Sequence, residues 1–196
     1  MKHKYNLFPT CVMSVENFIS DKQCKDIVDY ILNNNLQPKQ HGAIKGNGVS
    51  YYEEKSDFLQ VVCNNVIGCE NLKSKIFEAL KDYEKDTGVQ LTELNNSWFN
   101  IQQKGSMLVD HAHPMSILSG ALYINIDADS SSLYFSNPNP FNAFQDITRL
   151  TEYTYEKYWI KPSLGQLIIF PSWLRHGSNN TINESTNRIV ISFNTK

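Results

Sequence analysis

Asp110-His111-Ala112-His113-Pro114 is the stretch that decides how this chain is read, and Phe170-Pro171-Ser172-Trp173-Leu174-Arg175-His176 answers it some sixty residues later. The chain has five histidines, and three of them fall in these two segments. On a β-strand successive side chains alternate faces, so His111 and His113 would point one way while Asp110 and Ala112 point the other. Two imidazoles about 6 to 7 Å apart along one strand face can close on a single cation. A third ligand must come from elsewhere. His176 follows the apolar strand signal Gly165-Gln166-Leu167-Ile168-Ile169-Phe170, and Arg188 opens a second one, Arg188-Ile189-Val190-Ile191-Ser192-Phe193-Asn194. Two imidazoles on one strand, a distal histidine and an arginine one strand later form the order expected of a metal site that also binds a small dicarboxylate.

These stretches, taken with Leu7-Phe8-Pro9-Thr10, Trp98-x-Asn100, Ser119-Gly120-x-x-Tyr123 and Phe170-Pro171-Ser172-Trp173-Leu174-x-His176, resemble the Fe(II)- and 2-oxoglutarate-dependent oxygenases, in particular a group found in phages and marine bacteria. The resemblance is close from about Trp98 to the C-terminus and thin before it. It implies a mainly β (α+β) fold, a double-stranded β-helix of the jelly-roll or cupin-like kind, with two or more helices packed on one sheet. It also implies Fe(II), 2-oxoglutarate and O2 as cofactors. Arg188 would hold the far carboxylate of the cosubstrate, since its planar fork pairs bidentately with such a group. Asn100, Gln102 and Tyr123 would add cosubstrate contacts, with Ser192 assisting from the face it shares with Arg188.

One position departs from the commonest pattern of that superfamily, in which the second residue of the His-x-Asp or His-x-Glu pair is a carboxylate. Here it is His113. Three neutral imidazoles would leave a ferrous complex one unit more positive. Alternatively His111 and His176 alone bind the metal while His113 stands behind them and orients water or oxygen. Asp110 would replace it only if a bulge re-aimed its side chain. Strand parity favours His111, His113 and His176 together.

At 196 residues the chain fits one domain, with residues 1–95 carrying an N-terminal strand and supporting helices and 96–196 the catalytic core. A net charge of -2 gives no footprint for non-specific nucleic-acid binding. No signal peptide or membrane-length apolar run is expected, which points to a cytoplasmic protein, in a host cell if the source is viral. Composition carries no signal for oligomeric state. Cys11, Cys24, Cys63 and Cys69 lack metal or disulfide spacing and read as free thiols.

In order, Phe8 to Val15 reads as an edge strand with Pro9 at its entry. Ser20 caps a helix carrying Cys24, Ile27, Val28, Ile31 and Leu32, which ends in Asn33-Asn34-Asn35. Gln37 to Val49 is polar and glycine-rich and reads as a connector, with His41 exposed in it; the other reading places this loop beside the active-site mouth. Tyr51 to Leu59 shows little periodicity. A second helix runs from about Asn71 through Leu72, Ile76, Phe77, Leu80 and Tyr83 to Thr87-Gly88. Ser97 to Gln102 is a strand presenting Trp98, Asn100 and Gln102 on one face. Ser116 to Ile126 is a buried strand on which Tyr123 either lines the pocket or packs in the core. Asp127 to Ser132 is a turn, Leu133 to Phe135 a strand, and Asn137 to Tyr158 a long excursion whose aromatic residues would cover the substrate entrance.

The activity implied is hydroxylation of a C–H bond, with 2-oxoglutarate converted to succinate and carbon dioxide, on a protein or peptide side chain such as prolyl or on a small molecule. Two other readings use the same residues. A three-histidine, cupin-like dioxygenase would dispense with 2-oxoglutarate and leave Arg188 structural. A non-catalytic jelly-roll module would keep the histidines for packing.

Overall fold

The computed structural model describes residues 1–5, 7–34, 36–53, 56–91, 93–139, 146–178 and 182–196. The chain runs β1 (Met13–Val15), α1 (Asp21–Asn33), β2 (Ile44–Lys45), β3 (Gly48–Ser50), α2 (Phe58–Asn65), α3 (Leu72–Thr87), β4 (Leu94–Gln102), β5 (Met107–Leu108), β6 (Leu118–Asn125), β7 (Leu133–Ser136), β8 (Lys157–Ile160), β9 (Leu167–Pro171), β10 (His176–Gly177) and β11 (Arg188–Thr195). The larger sheet has the antiparallel order β1-β9-β6-β11-β4-β3. Facing it are β10-β7-β8 and β2-β5. These two small sheets are joined by main-chain bonds between His111 and His176 and between Ser178 and Leu108. The result is the two-sheet jelly roll that the family resemblance implies.

Period-two alternation on the central strands separates two interiors. Leu118, Leu122 and Ile124 of β6, Ile189, Ile191 and Phe193 of β11, Phe99 of β4 and Leu167 and Ile169 of β9 face the helices. Ala121, Tyr123, Ile168, Phe170 and Val190 face the opposite way, meeting Leu133, Phe135 and Leu174 between the sheets. Buried on both faces, β6 and β9 read as nearly unbroken apolar runs.

Local chemistry sets the helix ends. Ser20 and Gln23 form a reciprocal capping box at the start of α1, with Gln23 N donating to Ser20 Oγ at 3.3 Å and Ser20 N donating to Gln23 Oε1 at 3.0 Å. Such caps contribute about 1 kcal/mol. Gly88 ends α3 in the left-handed region at φ 73°, where a β-carbon is disfavoured. Among the described residues no helix is long and apolar enough to cross a membrane, and all four cysteines are free.

Four expectations are corrected. The first strand covers only Met13–Val15, because Phe8 sits at φ 59° and is 95 % exposed, outside any ladder. The connector from Gln37 contains β2 and β3, which pair with β5 and β4. Residues 58–65 form a third helix, too short for periodicity to announce, with Asp57 Oδ1 accepting from Gln60 N at 3.2 Å. The excursion ends earlier than Tyr158, since Tyr158 and Trp159 belong to β8, paired with β7. Phe141 and Phe144 of that excursion lie outside the described residues.

Gly120 pairs with Phe193 across β6 and β11, and the Phe193 ring lies where a Gly120 side chain would stand, 2.1 Å from an ideal β-carbon. Phe193 is fully buried. Gly120→Ala is therefore expected to destabilise the fold by roughly 1–3 kcal/mol through overpacking, lowering Tm by a few degrees to about 10 °C for a chain of this size. A thermal melt checks this; an unchanged Tm would show that Phe193 has room to move.

Candidate active site

The three imidazoles meet at the inner end of the sandwich. His111 and His176 exchange main-chain hydrogen bonds of 3.0 and 2.9 Å, which bring together residues far apart in the chain. His113 has left the ladder, but its N–H donates to Ser172 O at 2.8 Å, keeping its ring beside the other two. Ring centroids are 4.3 Å apart for His111 and His176, and 5.1 Å for His113 to each of the others. One ring nitrogen from each residue lies within 4.8 Å of the other two.

Hydrogen bonding selects which nitrogen that is. Nδ1 of His111 donates to Val109 O at 2.8 Å, and Nδ1 of His176 donates to Leu174 O at 2.9 Å. Nδ1 of His113 meets Asn194 Oδ1 at 2.7 Å. Each acceptor is an oxygen, so each ring carries its proton on Nδ1 and presents an Nε2 lone pair to the centre. His111 Nε2 and His113 Nε2 are 3.1 Å apart. Two such lone pairs repel, whereas two nitrogens at right angles on a metal with bonds of about 2.1 Å stand about 3 Å apart. The donor set fits a divalent cation.

Burial opposes the alternative of filling the centre with protons. It lowers the pKa of His111, pushes His113 down to about 4 and depresses His176 well below the usual imidazole range, the neighbouring histidines adding to the effect. The rings are thus neutral at neutral pH, the form that binds metals.

Beside the histidines lies a cavity of about 290 Å³, close to the lower end of small-molecule sites, roughly 300–1,000 Å³. Strands β4 and β11 give it Trp98, Asn100 and Gln102 opposite Arg188, Val190, Ser192 and Asn194, paired in register. The faces expected from strand parity are the faces observed. Arg188 is 3 % exposed; its Nη1 donates to Gln102 Oε1 and its Nε to Ser131 O at 3.2 Å. Among the described residues no carboxylate forms an ion pair with it. An unpaired buried guanidinium is costly unless an anion completes the site. Gln102 Nε2 is likewise buried without a hydrogen-bond acceptor among the described residues. An unpaired cation and an orphan amide donor at one end of the cavity, with three imidazoles elsewhere on its wall, fit a ligand that carries a carboxylate and reaches the metal.

Tyr123 both packs in the core and lines the cavity, the Arg188 guanidinium lying 5.1 Å from its ring centre. Burial raises its hydroxyl pKa, and the Arg188 charge works against that rise. Asn100 Nδ2 donates to Ser192 Oγ at 3.3 Å. Asp110 points away from the metal group. Its carboxylate accepts from Tyr134 OH at 2.8 Å, Ser136 Oγ at 3.1 Å and Arg175 Nε, so it is not a ligand, and Arg175 faces outward as parity predicts. The described residues of the 137–158 excursion do not line the cavity, whereas His41, Ala43, Ile44 and Tyr52 do. His41 is half-buried there, edge-on to Tyr52 at 5.3 Å, and Tyr52 is edge-on to Trp98 at 5.0 Å. Asn194 and Ser119, which hold His113, were not singled out as site residues from sequence, although both stand on inner-facing positions of their strands.

A family model described as "Putative 2OG-Fe(II) oxygenase" matches residues 96–194, just over half of the chain. No curated protein matches the sequence. Similar solved structures include a Pseudomonas putida prolyl-4-hydroxylase, with 10% identity, TM-score 0.67, and 95% of this chain and 92% of that chain covered. HygX from Streptomyces hygroscopicus, with nickel and 2-oxoglutarate bound, has 12% identity, TM-score 0.63, and coverage of 95% and 82%. A Trichoplax adhaerens prolyl hydroxylase in complex with a hypoxia inducible factor peptide fragment has 11% identity, TM-score 0.60, and coverage of 94% and 83%. At these identities the likeness is one of fold.

Because the histidine pKa values are lower in the folded chain than in the unfolded one, the unfolded state binds more protons in acid. Their neutral burial therefore costs nothing above about pH 6.5 and destabilises the metal-free protein as pH falls toward 4. His113 alone is expected to remove about 2 kcal/mol at pH 5. Thermal melts of the metal-free chain should show this loss between pH 7 and pH 5, smaller in His113→Ala; equal losses in the two would exclude His113 as a source. The family match spans all three histidines and Arg188, and on that match the chain belongs to the 2OG-Fe(II) oxygenases.

Proposed function

We propose that the chain is a dioxygenase that binds Fe(II) through His111, His113 and His176, binds 2-oxoglutarate against Arg188, and hydroxylates a C–H bond of a peptide side chain or small molecule. The observation that carries this reading is the juxtaposition of three Nε2 lone pairs with a buried, unpaired guanidinium around one cavity. When bound, Fe(II) would activate molecular oxygen, the oxidant, one oxygen atom ending in succinate as 2-oxoglutarate loses carbon dioxide and the other in the hydroxylated substrate.

The chain's own residues do the rest. Arg188, fixed by Gln102 and Ser131, offers its remaining N–H donors to a carboxylate, and the unsatisfied Gln102 Nε2 adds a donor to the same group. Tyr123, Asn100 and Ser192 supply polar contacts along the cosubstrate's length. Leu133, Phe170 and Val190 keep water from the reacting centre. The prime substrate enters past Tyr52 and Trp98, a rim whose described lining residues include no acid, lysine or arginine. That rim suits an uncharged group, and the fold likeness to two prolyl hydroxylases makes a prolyl side chain the first substrate to try.

The three-histidine set also matches a dioxygenase that uses no 2-oxoglutarate, and one experiment separates the two. Metal-free protein is titrated anaerobically with Fe(II) and then 2-oxoglutarate while the visible metal-to-ligand charge-transfer band is followed. Wild type is expected to develop the band. Arg188→Ala is expected to weaken 2-oxoglutarate binding at least about thirty-fold, the equivalent of losing one partner of a buried charge pair. Iron binding without a band would reject the cosubstrate assignment in favour of the three-histidine dioxygenase. No iron binding would reject the enzyme.

A further inference from the structure

The three imidazoles are not held alike. His111 and His176 each give the Nδ1 proton to the carbonyl two residues earlier, a bond internal to their own strand ends. His113 has no such carbonyl. Its Nδ1 meets the side chain of Asn194, at the far end of β11, and the hydroxyl of Ser119 on β6, at 2.7 and 2.8 Å. Asn194 and Ser119 face each other across the β6/β11 ladder, and Ser119 Oγ donates to Asn194 Oδ1 at 2.8 Å. Ser119 Oγ also lies 2.8 Å from Ser172 Oγ. Ser119 and Ser172 are fully buried and Asn194 is 7 % exposed.

The donors and acceptors of this cluster run in one direction. Ser172 donates to Ser119, Ser119 donates to Asn194 Oδ1, and that oxygen, with a second lone pair, accepts from His113 Nδ1. The relay leaves His113 only one orientation and one tautomer, with Nε2 unprotonated. Ser172 also fixes the His113 backbone through its carbonyl, so one residue steers the ring at both ends.

Resting on the metal site proposed above, we infer that Asn194, oriented by Ser119 and Ser172, is the positioning residue that makes His113 a metal ligand. An imidazole standing where related sites carry a carboxylate needs its proton accepted on the side away from the metal, and the Asn194 amide oxygen, with Ser119 Oγ beside it, is placed to accept it. Outer partners of this kind set the ring angle and basicity of a ligand, and removing one typically weakens metal binding 10–100-fold.

The test is titration of the metal-free protein with Co(II) alone, reading affinity and the d–d absorption bands, in wild type, Asn194→Leu, Asn194→Asp, Ser119→Ala and His113→Ala. Asn194→Leu keeps the branched heavy-atom skeleton and removes the acceptor; it is expected to bind Co(II) 10–100-fold more weakly, with bands like those of His113→Ala. Asn194→Asp, a stronger acceptor in the same place, is expected to bind at least as tightly as wild type with shifted bands, a rescue that a packing role would not produce. Ser119→Ala should weaken binding several-fold while keeping the wild-type bands. Wild-type affinity in Asn194→Leu, or in His113→Ala, overturns the inference. Should Asn194→Leu fail to fold, Asn194→Asp and Ser119→Ala decide, and wild-type affinity and bands in both overturn it. Since 2-oxoglutarate is absent from the titration, failure of the cosubstrate assignment leaves the result readable.

Discussion

The reciprocal main-chain bonds between His111 and His176 hold this structure to its purpose. They are two ordinary ladder bonds, yet they connect the β2-β5 sheet with the β10-β7-β8 sheet and so complete the smaller face of the jelly roll. The same two residues are candidate ligands. Closing the fold and assembling the site are therefore one event: the small face cannot form without bringing two imidazoles to 4.3 Å. The third is drawn in by the carbonyl of Ser172, the first residue after β9, the strand paired with β6.

Charge explains what such a cluster suits. Three neutral imidazoles bring no negative charge to a divalent cation, and Arg188 adds a positive one from across the cavity. The nearest carboxylate in the sequence, Asp110, is turned outward and neutralised by Arg175. With a divalent cation on the imidazoles the pocket would have two cationic poles and, among its described lining residues, no acid, which suits a ligand anionic at both ends. A dicarboxylate would meet both poles, which is the physical argument for the proposed cosubstrate.

Strand parity was the part of this site legible in the sequence. Trp98, Asn100 and Gln102 on β4 and Arg188 and Ser192 on β11 were assigned to one face by counting alternate residues, and the register pairs them as counted. What counting misses are relations that no local period encodes. Helix α2 spans eight residues, barely two turns, so its apolar spacing could not be told from chance. His41 lies in the segment 37–49, whose polarity and glycines read as a connector or as a loop beside the active-site mouth, and Tyr52 in the following stretch of little periodicity; the pairing of β3 with β4 between them places both at the cavity. Asn194 sits at the end of an apolar strand, two alternations beyond Val190 on the Arg188 face; parity marks that face, but its bond to a residue eighty-one positions earlier belongs to the sheet order alone.

The two faces of the ligand segment divide the labour. On the outer side, Asp110 gathers Tyr134 and Ser136 of β7 and Arg175, whose Nη2 also donates to the Asp110 carbonyl at 3.0 Å. That cluster immobilises the residue before His111 and the residue before His176 against the same strand. On the inner side, the serine and asparagine relay immobilises His113. A segment that is not a regular strand, and so lacks a full ladder to define it, is thus held from both faces by side chains. Side-chain bonds on both faces take the place of the ladder and hold the candidate ligands with the accuracy a metal site would demand, and alternation keeps the outer clamp from competing with the inner cluster.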